Sequence, residues 1–373
     1  MADKIILGVI FGGRSGEHEV SLMSARSVLS VLSPEKYTVV QIGITHEGAW
    51  VTGSNVLEAL ETGKTGELTP AILLPEPGMN WLYAVRQTPN GDMLDPLVCL
   101  DVVFPVLHGT FGEDGTLQGL LEMADLAYIG AGVLGSSVGM DKAIYKDVLR
   151  TYQIPVLESI VVTRQQIQAN IEKVIADAEK VAAYPLFVKP ANLGSSVGVT
   201  KCRNHSDLYE GLMEAAEYDR RVLIERGLEK PREIEVSVLG NEKPQASLPG
   251  EVIPSDDFYT YNAKYIDGRS ELIIPAPLPA EQIETIRHIA VQAYQAIDAA
   301  GMARVDFLLD RDTQVIYVSE INTIPGFTRI SMYPKLWDAS GVSYPQLIER
   351  LIDLAFERKA ERDHTRRQYG REK

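Results

Sequence analysis

Cysteine is almost missing from this 373-residue chain, and positive charge is in deficit. Its two cysteines, Cys99 and Cys202, are too few and too scattered for a disulfide framework or a zinc site. That scarcity points to a reducing, cytoplasmic setting. Against 51 Asp and Glu stand only 36 Lys and Arg, a formal charge of −15. An extended nucleic-acid surface needs clustered basic residues and is disfavoured, although a small basic pocket for a phosphorylated ligand is not. No apolar run is long enough to span a bilayer. The six apolar residues before Gly12-Gly13 are too short for a signal peptide's hydrophobic region.

What is present suits a globular protein of several parts. A hydrophobic content of 45% excludes a disordered class, and the length calls for two or three domains. Lys4 to Phe11 reads as a buried strand, Gly12 to Gly16 as a tight turn, Val20 to Leu32 as a helix, and Tyr37 to Ile44 as a second strand. Residues 52–95 are rich in Gly, Pro and Thr and read as an elaboration between strands. Asp101 to Leu107 is strand-like and feeds a glycine loop, His108 to Gly115. This alternation makes the first unit an open α/β domain. A second unit carries a helix through Arg150, a helix from about Gln165 to Val181, and strands at 185–189, 196–201 and 222–225. Arg226 to Pro231 reads as a connector. Strands at 233–239, 247–253 and 271–274, a helix over 280–299 and another over 344–359 complete the pattern. The charged tail from Glu357 onward reads as a solvated, frayed end.

Two segments carry chemistry. Between Gly301 and Phe327, strand alternation puts Arg304 and Asp306 on one face, and Glu320 and Asn322 on one face. A turn near Asp312 predicts Asp306 opposite Val318, with Glu320 as its diagonal neighbour. Such a charged face needs compensation, and its oxygens suit Mg²⁺ held with substrate phosphates. Leu186 to Pro190 then places Lys189 at the end of a buried strand, followed by Gly194-Ser195-Ser196-Val197-Gly198. Small residues there let backbone N–H groups close over phosphates. A hairpin with a snorkelling lysine is the plain alternative. With the metal-type face beside it, the phosphate reading is preferred.

In order, Gly12 to Ser21, His108 to Gly115, Met140-Asp141-Lys142, Val188-Lys189-Pro190, Gly194 to Gly198, Lys264-Tyr265, Met302 to Asp306, Glu320 to Thr328 and Ser331 to Trp337 resemble D-alanine–D-alanine ligases of the ATP-grasp superfamily. The resemblance runs from about Leu7 to Glu349. It implies a three-domain α/β ATP-grasp architecture with a Rossmann-like open sheet first, divided at 1–133, 134–228 and 229–373. It also implies ATP and Mg²⁺ (two ions, with Mn²⁺ as a substitute), two D-alanines as substrates and a cytoplasmic homodimer without nucleic-acid or membrane partners. The implied metal ligands are Asp306, Glu320 and Asn322, and the phosphate cations Lys142, Lys189 and Lys264. Glu225, Leu228 and Glu233 would meet adenosine, although alone the two glutamates read as surface charge.

For the amino acids, the resemblance implies that Glu17 holds the first ammonium, in a hydrogen-bonded set with Ser195 and Tyr265. His108, Gly326, Ser331 and Met332 would line the substrate site. Ser331 and Lys264 would take the second carboxylate. Arg304 would stabilise the oxyanion. Residues 256–265 read as a loop lid, and Tyr265 argues for an amine over a hydroxy acid as second substrate. A D-alanine–D-lactate ligase, or another ATP-grasp carboxylate–amine ligase, is the competing reading. A dinucleotide-binding oxidoreductase or a binding module is disfavoured by the departure of Gly12 to Gly16 from the dinucleotide fingerprint.

Overall fold

The computed structural model describes residues 4–253 and 271–366. In the first unit β1 (Ile5–Gly12) pairs in parallel with β2 (Tyr37–Ile44) on one side and β7 (Val102–Val106) on the other. β7 also pairs in parallel with β8 (Ala127–Tyr128). Leu7, Val9, Phe104 and Val106 are fully buried, as expected of parallel strands covered on both faces. The stretch 52–95 is more ordered than its composition suggests. It contributes β4 (Thr69–Leu73), β5 (Trp81–Thr88) and β6 (Gly91–Cys99), joined antiparallel through β3 (Trp50–Thr52) to the parallel core. The sheet order is β6-β5-β4-β3-β2-β1-β7-β8. Its turn glycines and edge exposure dilute the alternation that marks a strand.

The second sheet has the order β11-β10-β12-β9, from β9 (Ser159–Thr163), β10 (Leu186–Pro190), β11 (Thr200–Cys202) and β12 (Arg221–Arg226). The single helix expected over 165–181 is two, Arg164–Ala169 and Ile171–Ala178, because the Asn170 side chain accepts from Lys173 N–H and starts a new helix. Only Thr200–Cys202 of the expected strand 196–201 is extended, since Ser195 and Ser196 take left-handed φ of 53° and 58°.

In the third sheet β13 (Arg232–Leu239) carries the short β14 (Gln245–Ala246) at one end and lies between β15 (Gly250–Ile253) and β17 (Met302–Leu309). β16 (Glu271–Ile273) pairs with β15, and β18 (Ile316–Asn322) pairs with β17. The hairpin differs from expectation in one respect. Phe307 faces Val318, but Asp306 faces Glu320, with Ser319 bulged out between them. The carboxylates are therefore direct cross-strand partners, while Val318 turns into the core, fully buried.

The described part of the charged C-terminal stretch is firmer than expected. The helix Tyr344–Asp363 extends into it, and Arg358 and Arg362 pair with Glu122 while Lys359 reaches Asp125 at 3.2 Å. This ties the third unit to the first. Among the described residues no helix is long and apolar enough to cross a membrane.

Candidate active site

Two cavities meet at Glu320, which lines both. The larger lies between the second and third sheets. Its walls include Lys142, Lys189, Glu225, Leu228, Glu233, Asp306 and Glu320, bringing together the expected phosphate, adenosine and metal residues. The smaller cavity includes Glu17, His108, Ser195, Arg304, Asn322 and Gly326. Ser331 and Met332 line neither. Ser331 instead bonds Thr328, its hydroxyl 2.7 Å from that of Thr328, and Met332 packs against Val252 and Leu336. Lys264, Tyr265 and the 256–265 loop lie outside the described residues.

In the larger cavity Lys142 begins the helix Lys142–Thr151, whose first turn is capped by the Asp141 side chain. Its ammonium donates to Leu193 O at 2.7 Å and lies 3.3 Å from Glu320. Glu225 is no surface charge. Its side chain is 1% exposed, pairing with Lys189 at 2.7 Å and with Lys146 on its other oxygen. Burial pushes its pKa up, but the two lysines outweigh this and hold it at about 2. Burial pulls the Lys146 ammonium below its ordinary value, against the pull of Glu225.

The acidic row is neutralised from within the sheet. Cross-strand pairing aligns Glu235, Asp306 and Glu320, and in the next row Ser237, Arg304 and Asn322. Arg304 grips Asp306 through two hydrogen bonds of 2.7 and 2.6 Å and sits 2.9 Å from Glu235. Asn322 Nδ2 donates to Asp306 at 3.0 Å. Among the described residues no group of three or more His, Cys, Asp or Glu forms a metal cluster. The oxygens of Asp306 and Glu320 still fit a hard cation, with Asn322 Oδ1 joining after a half-turn of its amide. Arg304 competes with such a cation for the Asp306 charge.

The smaller cavity is built at strand ends and glycine turns, where α/β folds place ligands. Glu17 immediately precedes the helix His18–Leu29, after a turn in which Gly12 has φ 91°. A Cβ on Gly12 would stand 2.2 Å from Ile44 O, so only glycine lets the chain turn there. Ser195 donates its hydroxyl to Glu17. His108 is buried; its Nδ1–H donates to Ile324 O at 3.0 Å, leaving Nε2 to accept from the Ser24 hydroxyl at 2.9 Å. Burial pushes its pKa down to about 4, so the ring is neutral.

Sequence reasoning missed three buried polar residues. Glu113 accepts from Gly109 N–H at 2.7 Å and from Ile324 N–H at 3.2 Å, and burial beside Glu17 pushes its pKa up to about 8. Glu235 and Lys146 are the others. Glu235 and Lys146 leave a signal as charges inside an apolar pattern, whereas Glu113, in a glycine loop, leaves none. Glu235 lies two residues from Glu233 on a buried strand, and Lys146 four from Lys142 on one helical face.

Comparison with known proteins gives the family. Family profiles described as the D-ala D-ala ligase N-terminus and C-terminus match residues 6–131 and 148–353. The chain belongs to the D-alanine–D-alanine ligase family. It is 50% identical over 357 residues to a D-alanine–D-alanine ligase of Thermoanaerobacter sp. (strain X514), covering 95% of this chain and 97% of the relative. With the ligase of Geobacillus kaustophilus identity is 45% over 372 residues, covering 99% and 100%. Among solved structures, the ligase from Coxiella burnetii superposes with a TM-score of 0.80 at 35% identity, covering 97% of both chains. VanG D-Ala:D-Ser ligase from Enterococcus faecalis gives 0.82 at 32%, covering 95% of this chain and all of that one. The family assigns an ATP-dependent ligase, and the cation-lined cavity is of the kind a triphosphate requires.

Proposed function

We propose that this chain joins two D-alanines into D-alanyl-D-alanine in the cytoplasm, coupled to cleavage of ATP, as a step in peptidoglycan precursor synthesis. The observation that carries the reading is the shared wall at Glu320. It sets a cavity lined by Lys142 and Lys189 beside one holding Glu17 and Arg304. A carboxylate lying at that wall can attack the γ-phosphate and form an acyl phosphate.

The residues divide the work by charge. Lys142 and Lys189 face the phosphates, where positioning and electrostatics supply most of the catalysis. Glu225, Leu228 and Glu233 flank the adenosine end. Mg²⁺ bound at Asp306, Glu320 and Asn322 would neutralise charge on the transferring phosphoryl group. Glu17, fixed by Ser195, takes the first ammonium, while neutral His108 adds no competing charge. Arg304, at the smaller cavity, stabilises the oxyanion as the second amine displaces phosphate. A homodimer accompanies the reading from the family resemblance.

The test is D-alanine-dependent ADP release with the product identified by mass. D-Alanyl-D-alanine as main product is expected. Absence of D-alanine-dependent ADP release would overturn the reading. Preferential coupling of D-alanine to D-serine or D-lactate would move the chain to a related specificity.

A further inference from the structure

Two lysines share one enclosed carboxylate at the floor of the larger cavity, and they are not equivalent. Glu225 and Lys146 have side chains only 1% exposed, whereas that of Lys189 is 16% exposed and lines the cavity. A single carboxylate balances one cation, so the trio carries one surplus positive charge. The surplus belongs to the lysine that can move. Were Lys189 the only partner, drawing it onto a phosphate would strand a buried carboxylate, a change that strongly disfavours the movement.

We propose that Lys146 is a positioning residue that stays paired with Glu225 and thereby frees Lys189 to engage the nucleotide phosphates. The inference rests on the nucleotide reading of this cavity. Lys146 follows Lys142 by four residues, so one helix face presents both cations toward the site. Lys142 meets Glu320, and Lys146 meets Glu225. Tyr145 on the same helix donates its hydroxyl to Ser319 O, tying the helix to the bulge beside the acidic row. Removing the Lys146 charge would leave Glu225 dependent on Lys189 and hold that lysine off the phosphates.

The experiment compares steady-state kinetics of Lys146→Met, Lys146→Arg, Glu225→Gln and Lys146→Met/Glu225→Gln in the full chain. In K146M the KM for ATP should rise roughly tenfold or more, the range expected for losing one charge-assisted hydrogen bond. The KM for D-alanine should stay within about twofold, because Glu17 and His108 are untouched. K146R should recover most of the ATP affinity. The double variant should match Glu225→Gln in its KM for ATP, since a neutral amide no longer competes for Lys189. An unmoved ATP KM in K146M overturns the proposal. So does an equal loss for both substrates, or a double variant whose KM for ATP lies well above that of Glu225→Gln. If K146M fails to fold, the double variant, which removes both buried charges, decides alone: ATP affinity near that of Glu225→Gln supports the proposal, and affinity far below it does not. A wild-type chain that releases no ADP refutes the nucleotide assignment instead, which keeps the two failures apart.

Discussion

Ser195 and Glu17, 178 positions apart, are joined by a hydrogen bond from the Ser195 hydroxyl to the Glu17 carboxylate. It links the glycine turn of the second unit to the first helix of the first unit. A hydrogen bond to a charged group contributes roughly 1.5–3 kcal/mol. Ser195→Ala should therefore lower kcat/KM for D-alanine by about tenfold or more while the KM for ATP changes little. Initial-rate measurements varying each substrate would show an equal loss if the serine only shaped the turn.

Gly194 sits so close to the same carboxylate that a Cβ there would stand 2.8 Å from Glu17 Oε2. Gly194→Ala must displace the Glu17 side chain. The expected result is a folded protein with a raised KM for D-alanine, checked by thermal melting beside kinetics. Unchanged D-alanine kinetics would remove Glu17 from the ammonium site.

Arg304 and a bound cation compete for Asp306, because both carboxylate oxygens already accept from the guanidinium. Arg304→Met should abolish most turnover and destabilise the fold by roughly 3 kcal/mol, leaving Glu235 and Asp306 without their shared cation. Mg²⁺ should then raise the Tm of the variant more than that of the wild type. Equal increments in a calorimetric titration would argue against metal binding at this row.

His108 makes stability depend on pH in a defined direction. The folded ring takes its proton only near pH 4, against an ordinary 6.5, so between those values the unfolded chain binds more protons. Its contribution is complete above about pH 6.5 and is lost as pH falls toward 4. The difference corresponds to roughly 3 kcal/mol. Denaturant unfolding of His108→Gln should show a flatter decline across that interval and lower stability at pH 7.

The strand-and-helix order was legible because Lys4 to Phe11, Val20 to Leu32 and Met302 to Leu309 carry clear apolar periods. The candidate site residues were singled out by their order along the chain, and the structure gathers most of those described around two cavities. Three features were not legible. The turn is offset by one residue in register from one centred on Asp312, and the bulge at Ser319 adds a second, so Glu320 stands opposite Asp306 where simple alternation set Val318. The strands within 52–95 bury only a short face, Ala71, Leu73, Leu82 and Ala84, and the exposed edge around it dilutes the period. Glu113 reads as an ordinary loop charge, and the helical spacing of Lys146 does not name its partner; the groups that enclose them, Ile324 and Glu225, lie 211 and 79 positions away.

The bulge at Ser319 also sets what a change of length there would cost. Before it, Val318 pairs with Phe307 in the core; after it, Ile321 pairs with Val305 in the same core, and Glu320 and Asn322 turn toward the site. Deleting Ser319 while keeping the Phe307–Val318 pair would leave a plain ladder in which Glu320 still faces Asp306 and Ile321 still faces Val305. What would be lost is the Ser319 carbonyl that accepts from the Tyr145 hydroxyl, and with it the tie between the lysine-bearing helix and the acidic row. The extra residue therefore supplies an anchor and a local bend, whatever its side chain.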